Sequence, residues 1–318
     1  MDTSYIKLKK KKNSKNKSII FLGSSLPILI LAYLYKKKFK YDVQIFHESN
    51  CIGGAWGLFK YKNIFLRKQS NVILPITEKQ KKKEEKLNFF LKKFLKIKIK
   101  EIKNKVYSKY HFKKNYYYEF GKFYKEIQKM KLLKIVKVKK LEITKEKKIL
   151  INEIYKFNEV FIPTFFGIDK LYINNKIINF DYKIIKSEHV VAIMKKLIHP
   201  SFFYSDFFNN FFDRVEIMRH KEFVSFSARL VKEKKCIKKI FIIEKLKKLS
   251  SNKKIIKFNR FTFKNYYRNE NQVKKIKKLN KIENINYIDT TSFINFTDQL
   301  FNHFKYTSIK SKLSLSKK

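Results

Sequence analysis

The sequence predicts an α/β protein, and two features near its amino end lead to that prediction. The uncharged run Ser18–Tyr35 begins with apolar, β-prone residues, and a second β-prone segment follows a lysine cluster at Tyr41–Phe46. Four of the six glycines of the chain lie within Gly23–Gly57. Because glycine tolerates positive φ and lets backbone approach other groups closely, this segment is expected to contain tight turns.

The order of these residues fits a strand, a helix and a second strand. Ser18–Leu22 is predicted to be a strand and Gly23-Ser24-Ser25 a turn, while Pro27 suits the first turn of a helix that continues to about Lys38. Eighteen residues separate Leu22 from Tyr41, which is enough for a parallel βαβ connection. In such a unit the helix N-terminus offers N–H groups and a positive dipole to a phosphate.

A membrane segment is the alternative interpretation of the same run. Residues 18–35 are eighteen uncharged positions, which just reaches the length needed to cross hydrocarbon. Gly23, the serines and Pro27 weaken this interpretation, and it leaves the following strand and glycine cluster unexplained. A signal peptide is not favoured either, because no small-residue cleavage site precedes the next lysine cluster. A membrane-anchored basic protein therefore stays as an alternative, and a membrane partner is not expected.

The net charge of +50 would ordinarily suggest a nucleic-acid partner. Of the 76 basic residues only six are arginine, which leaves 76 − 6 = 70 lysines, and these are spread along the whole chain. Arginine is the residue that reads bases and binds phosphate with two parallel hydrogen bonds. The composition is therefore attributed to sequence bias, and no specific nucleic-acid partner is expected. Non-specific binding of polyanions at low salt is expected.

The reactive residue types form no familiar catalytic or metal pattern. Cys51 and Cys236 make neither a C-x-x-C pair nor a zinc spacing, so a reducing, cytoplasmic location is expected. The six histidines are dispersed, and the sequence contains no H-E-x-x-H, no P-loop and no G-x-S-x-G. Metalloprotease, nucleoside triphosphatase and serine hydrolase activities therefore have no support, and no metal site is predicted.

The glycine segment resembles the FAD-dependent amine oxidase and protoporphyrinogen oxidase-like flavoproteins. Gly23 matches the first glycine of that family's G-x-G-x-x-G, Ala32 matches a small helix residue, and Gly53-Gly54 in "IGGAWG" matches its second glycine signature. The resemblance implies a Rossmann-like dinucleotide-binding core (FAD/NAD(P)-binding) with an inserted mixed α+β substrate region. It also implies FAD as cofactor and a small molecule as substrate.

The resemblance implies a role for each matched position. Gly23, Ser24 and Ser25 would place backbone N–H groups against the pyrophosphate, and Gly53 and Gly54 would let the chain pass close to the cofactor.

The ribose-binding carboxylate of the family would fall at His47, but the carboxylate of this chain is one place later, at Glu48. In a strand, a shift of one residue turns a side chain to the opposite face. Ser25 and Ile28 stand where the family has its second and third glycines, and both add bulk. A relative that keeps the fold but has lost the cofactor is therefore an alternative to an FAD-dependent oxidoreductase.

A second stretch of similarity, Tyr116–Gly167, resembles the family's helix, meander and strand that returns to the cofactor. Together with the helical spacing in Glu78–Lys105, it divides the chain into six segments. They are a flexible basic N-terminus at 1–17, the Rossmann-like unit at 18–65, a helical insertion at 66–115, a continuation of the dinucleotide-binding domain at 116–168, a substrate or cap region with C-terminal helices at 169–305, and a flexible tail at 306–318.

The carboxyl-terminal half contains few residues that suggest catalysis. His189 and His220 lie beside charged residues and are candidates for an acid or base, although a structural role is the simpler interpretation. Arg214 and Arg229 could hold a substrate carboxylate or pair with nearby glutamates. No catalytic residue is assigned. The family's Gly-Asp cofactor motif near the carboxyl end is not recognisable, because no glycine follows Gly167.

Overall fold

The structure is a computed structural model of the whole chain. It describes residues 17–48, 52–68, 77–102, 106–107, 115–164, 166–168, 170–173, 176–179, 181–195, 202–205, 209–231, 238–249, 254–267, 269–278, 284–290 and 296–300. The termini predicted to be flexible lie outside these residues, apart from Lys17.

Twenty strands and five helices are defined within these residues, and residues 296–300 are also helical. The helices are α1 (Leu26–Lys37), α2 (Glu78–Leu95), α3 (Gly121–Lys129), α4 (Lys239–Leu249) and α5 (Glu270–Lys278). The strands are β1 (Ser18–Leu22), β2 (Asp42–His47), β3 (Leu58–Tyr61), β4 (Ile64–Arg67), β5 (Lys98–Ile102), β6 (Val106–Tyr107), β7 (Asn115–Glu119), β8 (Leu133–Ile135), β9 (Leu141–Ile143), β10 (Ile149–Ile151), β11 (Tyr155–Phe157), β12 (Glu159–Pro163), β13 (Lys170–Ile173), β14 (Lys176–Asn179), β15 (Lys183–Lys195), β16 (Phe202–Ser205), β17 (Phe212–Arg219), β18 (Phe223–Leu230), β19 (Ile255–Tyr267) and β20 (Ile285–Ile288).

The predicted βαβ unit at the amino end is confirmed. Strand β1 pairs in parallel with β2, and α1 connects them. Strands β12 and β20 extend the sheet on one side and β8 on the other, all in parallel, in the order β20-β12-β1-β2-β8. Strand β12 is the predicted return strand. The segment 18–35 is thus a strand followed by a separate helix of twelve residues and not one continuous helix.

Helix α1 lacks a polar face because protein surrounds it. All ten residues from Leu26 to Tyr35 are buried. They pack on one side of the parallel sheet, and apolar residues of α2 and α3, among them Phe90 and Phe123, complete the same core. A helix that is apolar all round is expected in a protein interior as well as in a bilayer. This explains why the segment resembled a membrane span.

A second five-stranded sheet covers the opposite face of the parallel sheet. Its order is β11-β10-β9-β13-β14, and a turn at Lys145–Lys147 joins β9 to β10. Alternation in β1 explains the layering, because Ile19 and Phe21 belong to the core with α1, whereas Ile20 and Leu22 belong to the core with the second sheet.

A third sheet has six strands in the order β19-β15-β18-β17-β16-β6, and all of them except β6 come from the carboxyl-terminal half. One of its faces is apolar and packs on α4 through Ile242 and Leu246. Phe212 of β17 lies in this core as well. The opposite face carries polar residues and meets the β3–β4 hairpin.

The predicted helix over Glu78–Lys105 is wrong at its carboxyl end. Helix α2 begins after Thr77, whose hydroxyl accepts from the Gln80 N–H while the Gln80 side chain accepts from the Thr77 N–H. The helix ends because Lys96 adopts the left-handed conformation. The β-branched residues that follow alternate with lysine, and they form β5. The segment 66–115 therefore contains strands as well as a helix.

One of the C-terminal helices predicted within 169–305 is observed as α5, which begins at Glu270 because Asn265–Tyr267 belongs to β19. Residues 296–300 are helical as well, and residues 291–295 before them lie outside the described residues. In the part of the chain that the structure describes, no helix has both the length and the apolar character needed to span a bilayer. The domain boundaries remain predictions.

Candidate functional site

The carboxyl ends of the five parallel strands meet at one edge of the first sheet. In open α/β sheets, ligands bind in the crevice outside this edge. Here the edge brings together the residues that directly follow β1, β2, β12 and β20. These are Gly23-Ser24-Ser25, Glu48, Thr164 and Asp289, respectively.

The turn after β1 leads directly into α1. Gly23 has a φ of +81°, and its N–H donates to the Phe46 carbonyl at 2.7 Å, which fixes the turn against β2. Ser25 is the N-cap of α1, but its side chain makes no capping hydrogen bond, and the first turn contains no acidic residue. The Ser25 Oγ is buried and has no hydrogen-bond partner among the described residues. The helix N-terminus therefore presents a positive dipole and an unused hydroxyl at the sheet edge.

The second glycine cluster lies directly on this turn. The Gly53 N–H donates to the Ser24 carbonyl at 2.6 Å, and Ser25 and Gly53 form a parallel β-bridge. A Cβ on Gly54 would lie 3.5 Å from Ser25 Cα, whereas a Cβ on Gly53 would lie 2.3 Å from Tyr124 Oη. Gly53 has a φ of +92°. The structure thus brings Gly23, Ser24, Ser25, Gly53 and Gly54 together, as the sequence predicted, although what they bind stays a prediction.

The two predicted ribose-binding positions have opposite environments. His47 ends β2, and its side chain is only 5% exposed, whereas Glu48 lies just beyond the strand and is exposed. Both residues make further interactions within the protein. This contrast agrees with the one-residue shift noted in the sequence, and the ribose-binding role of Glu48 stays a prediction.

Two candidate residues at the same edge were missed in the sequence. Thr164 follows β12, and its Oγ1 lies 2.6 Å from Tyr287 Oη and 3.5 Å from Asp289 Oδ1. The Thr290 N–H donates to Thr164 Oγ1 at 3.1 Å. Asp289 follows β20, and helical residues 296–300 come after it. The available signal for Asp289 was the strand-like run "INYI" directly before it. This run was missed because it contains no glycine, which the family's cofactor motif near the carboxyl end has.

A buried ion pair links this edge to the six-stranded sheet. Arg67, at the end of β4, pairs with Glu216 of β17 at 2.9 Å, and both side chains are almost fully buried. The guanidinium also lies 4.2 Å from the Tyr117 ring centroid and 5.5 Å from that of Trp56, which follows the Gly53–Gly54 pair. The Trp56 carbonyl accepts a hydrogen bond from Tyr124 Oη at 3.0 Å. Arg67 therefore joins the glycine turns to the polar face of the third sheet.

Three of the four carboxyl-terminal candidates lie in one row of that sheet. His189 of β15 is directly opposite Arg229 of β18, which is directly opposite Arg214 of β17. Burial lowers the pKa of His189 to about 3, with the two arginines adding to the effect. The imidazole is therefore neutral at physiological pH. Its Nε2 lies 3.3 Å from Ser187 Oγ, and its buried Nδ1 has no hydrogen-bond partner among the described residues.

His220 lies apart from this row. It follows β17, its Nε2 lies 2.9 Å from Ser225 Oγ, and its ring stacks on Phe223. Burial lowers its pKa to about 4. Its contacts are those of a structural residue in the β17–β18 turn. Within the described ranges, no three or more His, Cys, Asp or Glu side chains are grouped so that they could hold a metal ion.

No protein-family model matches this sequence, and no curated protein matches it either. Solved structures do share its fold. A protein from Exiguobacterium sp. 255-15 assigned as a protoporphyrinogen oxidase superposes with a TM-score of 0.61 at 6% identity, over 91% of this chain and 98% of that one. Putrescine oxidase bound to putrescine gives a TM-score of 0.57 at 6% identity, over 95% and 99%. The PF1083 protein of Pyrococcus furiosus gives 0.51 at 9% identity, over 91% and 98%. These likenesses establish that the chain has the fold of these proteins along nearly its whole length.

Proposed function

We propose that this chain binds FAD at the carboxyl edge of its parallel sheet and acts as an oxidoreductase on a small molecule. The observation that carries the proposal is the turn at the N-terminus of α1, where the buried Ser25 Oγ has no hydrogen-bond partner among the described residues. A phosphate is the ligand that such a helix end accepts best. The shared fold with putrescine oxidase, a protein whose cofactor binding has been redesigned, supports the same conclusion.

The residues at this edge fit a dinucleotide. Ser24 and Ser25 would hold the pyrophosphate through backbone N–H groups and the Ser25 hydroxyl, and Glu48 would hold the ribose. Gly53 and Gly54 would let the cofactor approach the backbone closely, because neither residue has a side chain. When bound, FAD supplies two-electron hydride chemistry, while the protein positions the substrate and excludes water.

A second candidate is a protein of this fold that has lost the cofactor. The Ser25 side chain occupies a position where the flavoproteins named above have glycine, and a Cβ on Gly54 would lie only 3.6 Å from Ser25 Cβ. The Gly23 N–H is already used by the Phe46 carbonyl. These contacts leave less room and one N–H group fewer for a pyrophosphate at this turn.

The absorption spectrum of the purified protein separates the two candidates. FAD gives bands near ~450 nm, and we expect them either in the isolated protein or after added FAD and gel filtration. A colourless protein that takes up no added FAD would contradict the proposed function and support the second candidate.

Ser25→Asp tests the position of the site. A carboxylate at the N-cap stabilises a helix, so the variant is expected to unfold at the same or higher urea concentration. The same charge repels a pyrophosphate, so FAD retention should fall at least tenfold. Thr77→Asp, at the N-cap of α2, is the matched control and should retain FAD. Equal FAD retention by both variants would show that the cofactor does not bind at the N-terminus of α1.

A further inference from the structure

The polar face of the six-stranded sheet carries an excess of positive charge. Arg214 and Arg229 are directly opposite each other on neighbouring strands, so their Cβ atoms are roughly 5 Å apart on the same face. Like charges in this arrangement destabilise a sheet. Among the residues of β15, β17, β18 and β19 whose side chains the structure describes, Glu216 is the one carboxylate on this face, and it pairs with Arg67. Both arginines have further interactions within the protein, so the inference rests on Lys68 and His189, and the arginines add positive charge beside them.

Lys68 adds a third positive charge above this row. Its side chain is only 8% exposed, and its Nζ lies 5.5 Å from the ring centroid of Phe261. Phe261 is directly opposite His189, so Lys68 lies at the β19 end of the row. Among the described residues Lys68 makes no ion pair. A buried ammonium without a carboxylate is costly, which is why buried charges are normally paired.

His189 contributes an unused polar atom to the same place. Its side chain is 3% exposed, and its Nδ1 is buried without a hydrogen-bond partner among the described residues. Buried polar groups are nearly always hydrogen-bonded, and an exception calls for a ligand or another explanation. A neutral imidazole can donate one hydrogen bond to an anion without adding charge.

The row lies close to the proposed cofactor site. Arg214 and Glu216 are two residues apart on β17, so they lie on the same face at a separation of roughly 7 Å. Glu216 binds Arg67, which lies against Trp56 beside the Gly53–Gly54 pair. The Ser227 hydroxyl donates to the Arg67 carbonyl at 3.4 Å and holds the end of β4, and hence Lys68, over the sheet.

We propose that this face, between Lys68 and the row formed by His189, Arg229 and Arg214, binds the carboxylate of an anionic organic substrate. The inference rests on the proposed function, because the face is a substrate site only if a cofactor lies beyond Trp56. The positive charge of the face indicates that the substrate is an anion. Putrescine is a diammonium ion, and this chain offers three cations where such a ligand would need carboxylates.

Binding of two probes of opposite charge tests the inference. Sodium benzoate and 1,4-diaminobutane are titrated into the full-length protein at ~150 mM salt, where non-specific attraction to the basic surface is screened. NMR of the histidine rings reports the site, with the His189 signal assigned by its loss in His189→Gln. We expect a saturable shift of the His189 signal with benzoate and none with the diamine.

Variants show whether the named cations are responsible. Lys68→Gln and Arg229→Gln should each raise the benzoate dissociation constant tenfold or more, because each removes a charge-assisted contact. Arg260→Gln is the matched control, since Arg260 adjoins Phe261 in β19 but pairs with Glu188 on the opposite face. This control should change benzoate binding less than twofold. One folded test variant, identified by a native NMR spectrum, is enough for the test. If the other variant fails to fold, the inference can still be decided.

Three results would overturn the inference. They are a diamine that binds as tightly as benzoate, benzoate binding that leaves the His189 signal unmoved, and an equal loss of affinity in Arg260→Gln. The absorption spectrum keeps the two proposals distinct. A protein that holds FAD without binding benzoate contradicts only the anionic substrate. A colourless protein that binds benzoate contradicts the proposed function, and the face would then be an anion-binding site but not a substrate site.

Discussion

Gly53 and Gly54 are adjacent, but a methyl group added to each would have very different contacts. Gly53→Ala would place a methyl group 2.3 Å from Tyr124 Oη at a φ of +92°, so strain and overlap add. We expect the free energy of unfolding, measured in urea, to fall by about 3 kcal/mol. Gly54→Ala meets ordinary contacts at 3.5 Å, and only its φ of +54° is unfavourable. Its expected cost is about 1 kcal/mol.

The Tyr124→Phe background checks the cause of this difference. Removing the hydroxyl relieves the closest contact of the Gly53→Ala methyl group, although Tyr124 Cζ at 2.8 Å remains. The cost of Gly53→Ala should therefore be smaller in this background. An unchanged cost would mean that backbone conformation alone requires glycine at this position.

Glu84 makes stability depend on pH. Its side chain is 2% exposed, and burial raises its pKa to about 7, while the hydrogen bond from Tyr118 opposes the shift. Because the folded pKa lies above the ordinary value of 4.5, the folded protein binds this proton more tightly than the unfolded chain does. Its contribution to stability is complete below about pH 4.5 and is lost as the pH rises through about 7.

We therefore expect Glu84 to lower the free energy of unfolding by about 3 kcal/mol between pH 4.5 and pH 7.5. Glu84→Gln should remove this part of the pH dependence, because a neutral amide can also hydrogen-bond Tyr118. Urea unfolding at several pH values measures the effect. Glu244→Gln, at an exposed position of α4, is the control and should leave the profile unchanged. A wild-type profile that is flat in this range would show that water reaches the carboxylate.

At the scale of secondary structure, the sequence predicted those elements whose signals lie in residues close together in the chain. The βαβ unit was predictable because the apolar runs of β1 and β2, the rare Gly23 and Pro27 all lie close together in the chain. The end of α2 was not, because a lysine in the left-handed conformation carries no sequence signal. The six-stranded sheet was hidden for another reason. Its polar row could not be predicted, because His189, Arg229 and Arg214 are distant in sequence and lie side by side only through the pairing of their strands.

The β3–β4 hairpin is expected to depend on its buried ion pair. Arg67→Met leaves the Glu216 carboxylate buried without its partner, so the free energy of unfolding should fall by about 3–5 kcal/mol. Adding Glu216→Gln to this variant should recover part of the loss, because no charge then stays unpaired. Lys62 and Glu222 form an exposed pair at 2.7 Å between the same hairpin and the same sheet. Lys62→Met is the control and should have little effect.

Considered as a whole, the molecule has an apolar interior around its parallel sheet and carries most of its charge elsewhere. The parallel sheet is enclosed by α1 on one face and by the second sheet on the other, so its interior is apolar. The lysines in the described part of the chain lie mainly on the surface, where they keep their hydration. A net charge of +50 raises the local concentration of anions around the protein, and the anionic substrate proposed above would be among them.

The same charge leads to a prediction about nucleic acid. Scattered lysines bind phosphates by releasing counterions, and this does not distinguish one sequence from another. Two DNA duplexes of equal length and unrelated sequence should therefore bind with equal affinity, measured by fluorescence anisotropy. Both affinities should fall on the order of tenfold or more between ~50 and ~200 mM salt. A duplex that keeps tight binding at high salt while the other is released would show base-specific contacts, and it would reverse the attribution of the charge to sequence composition.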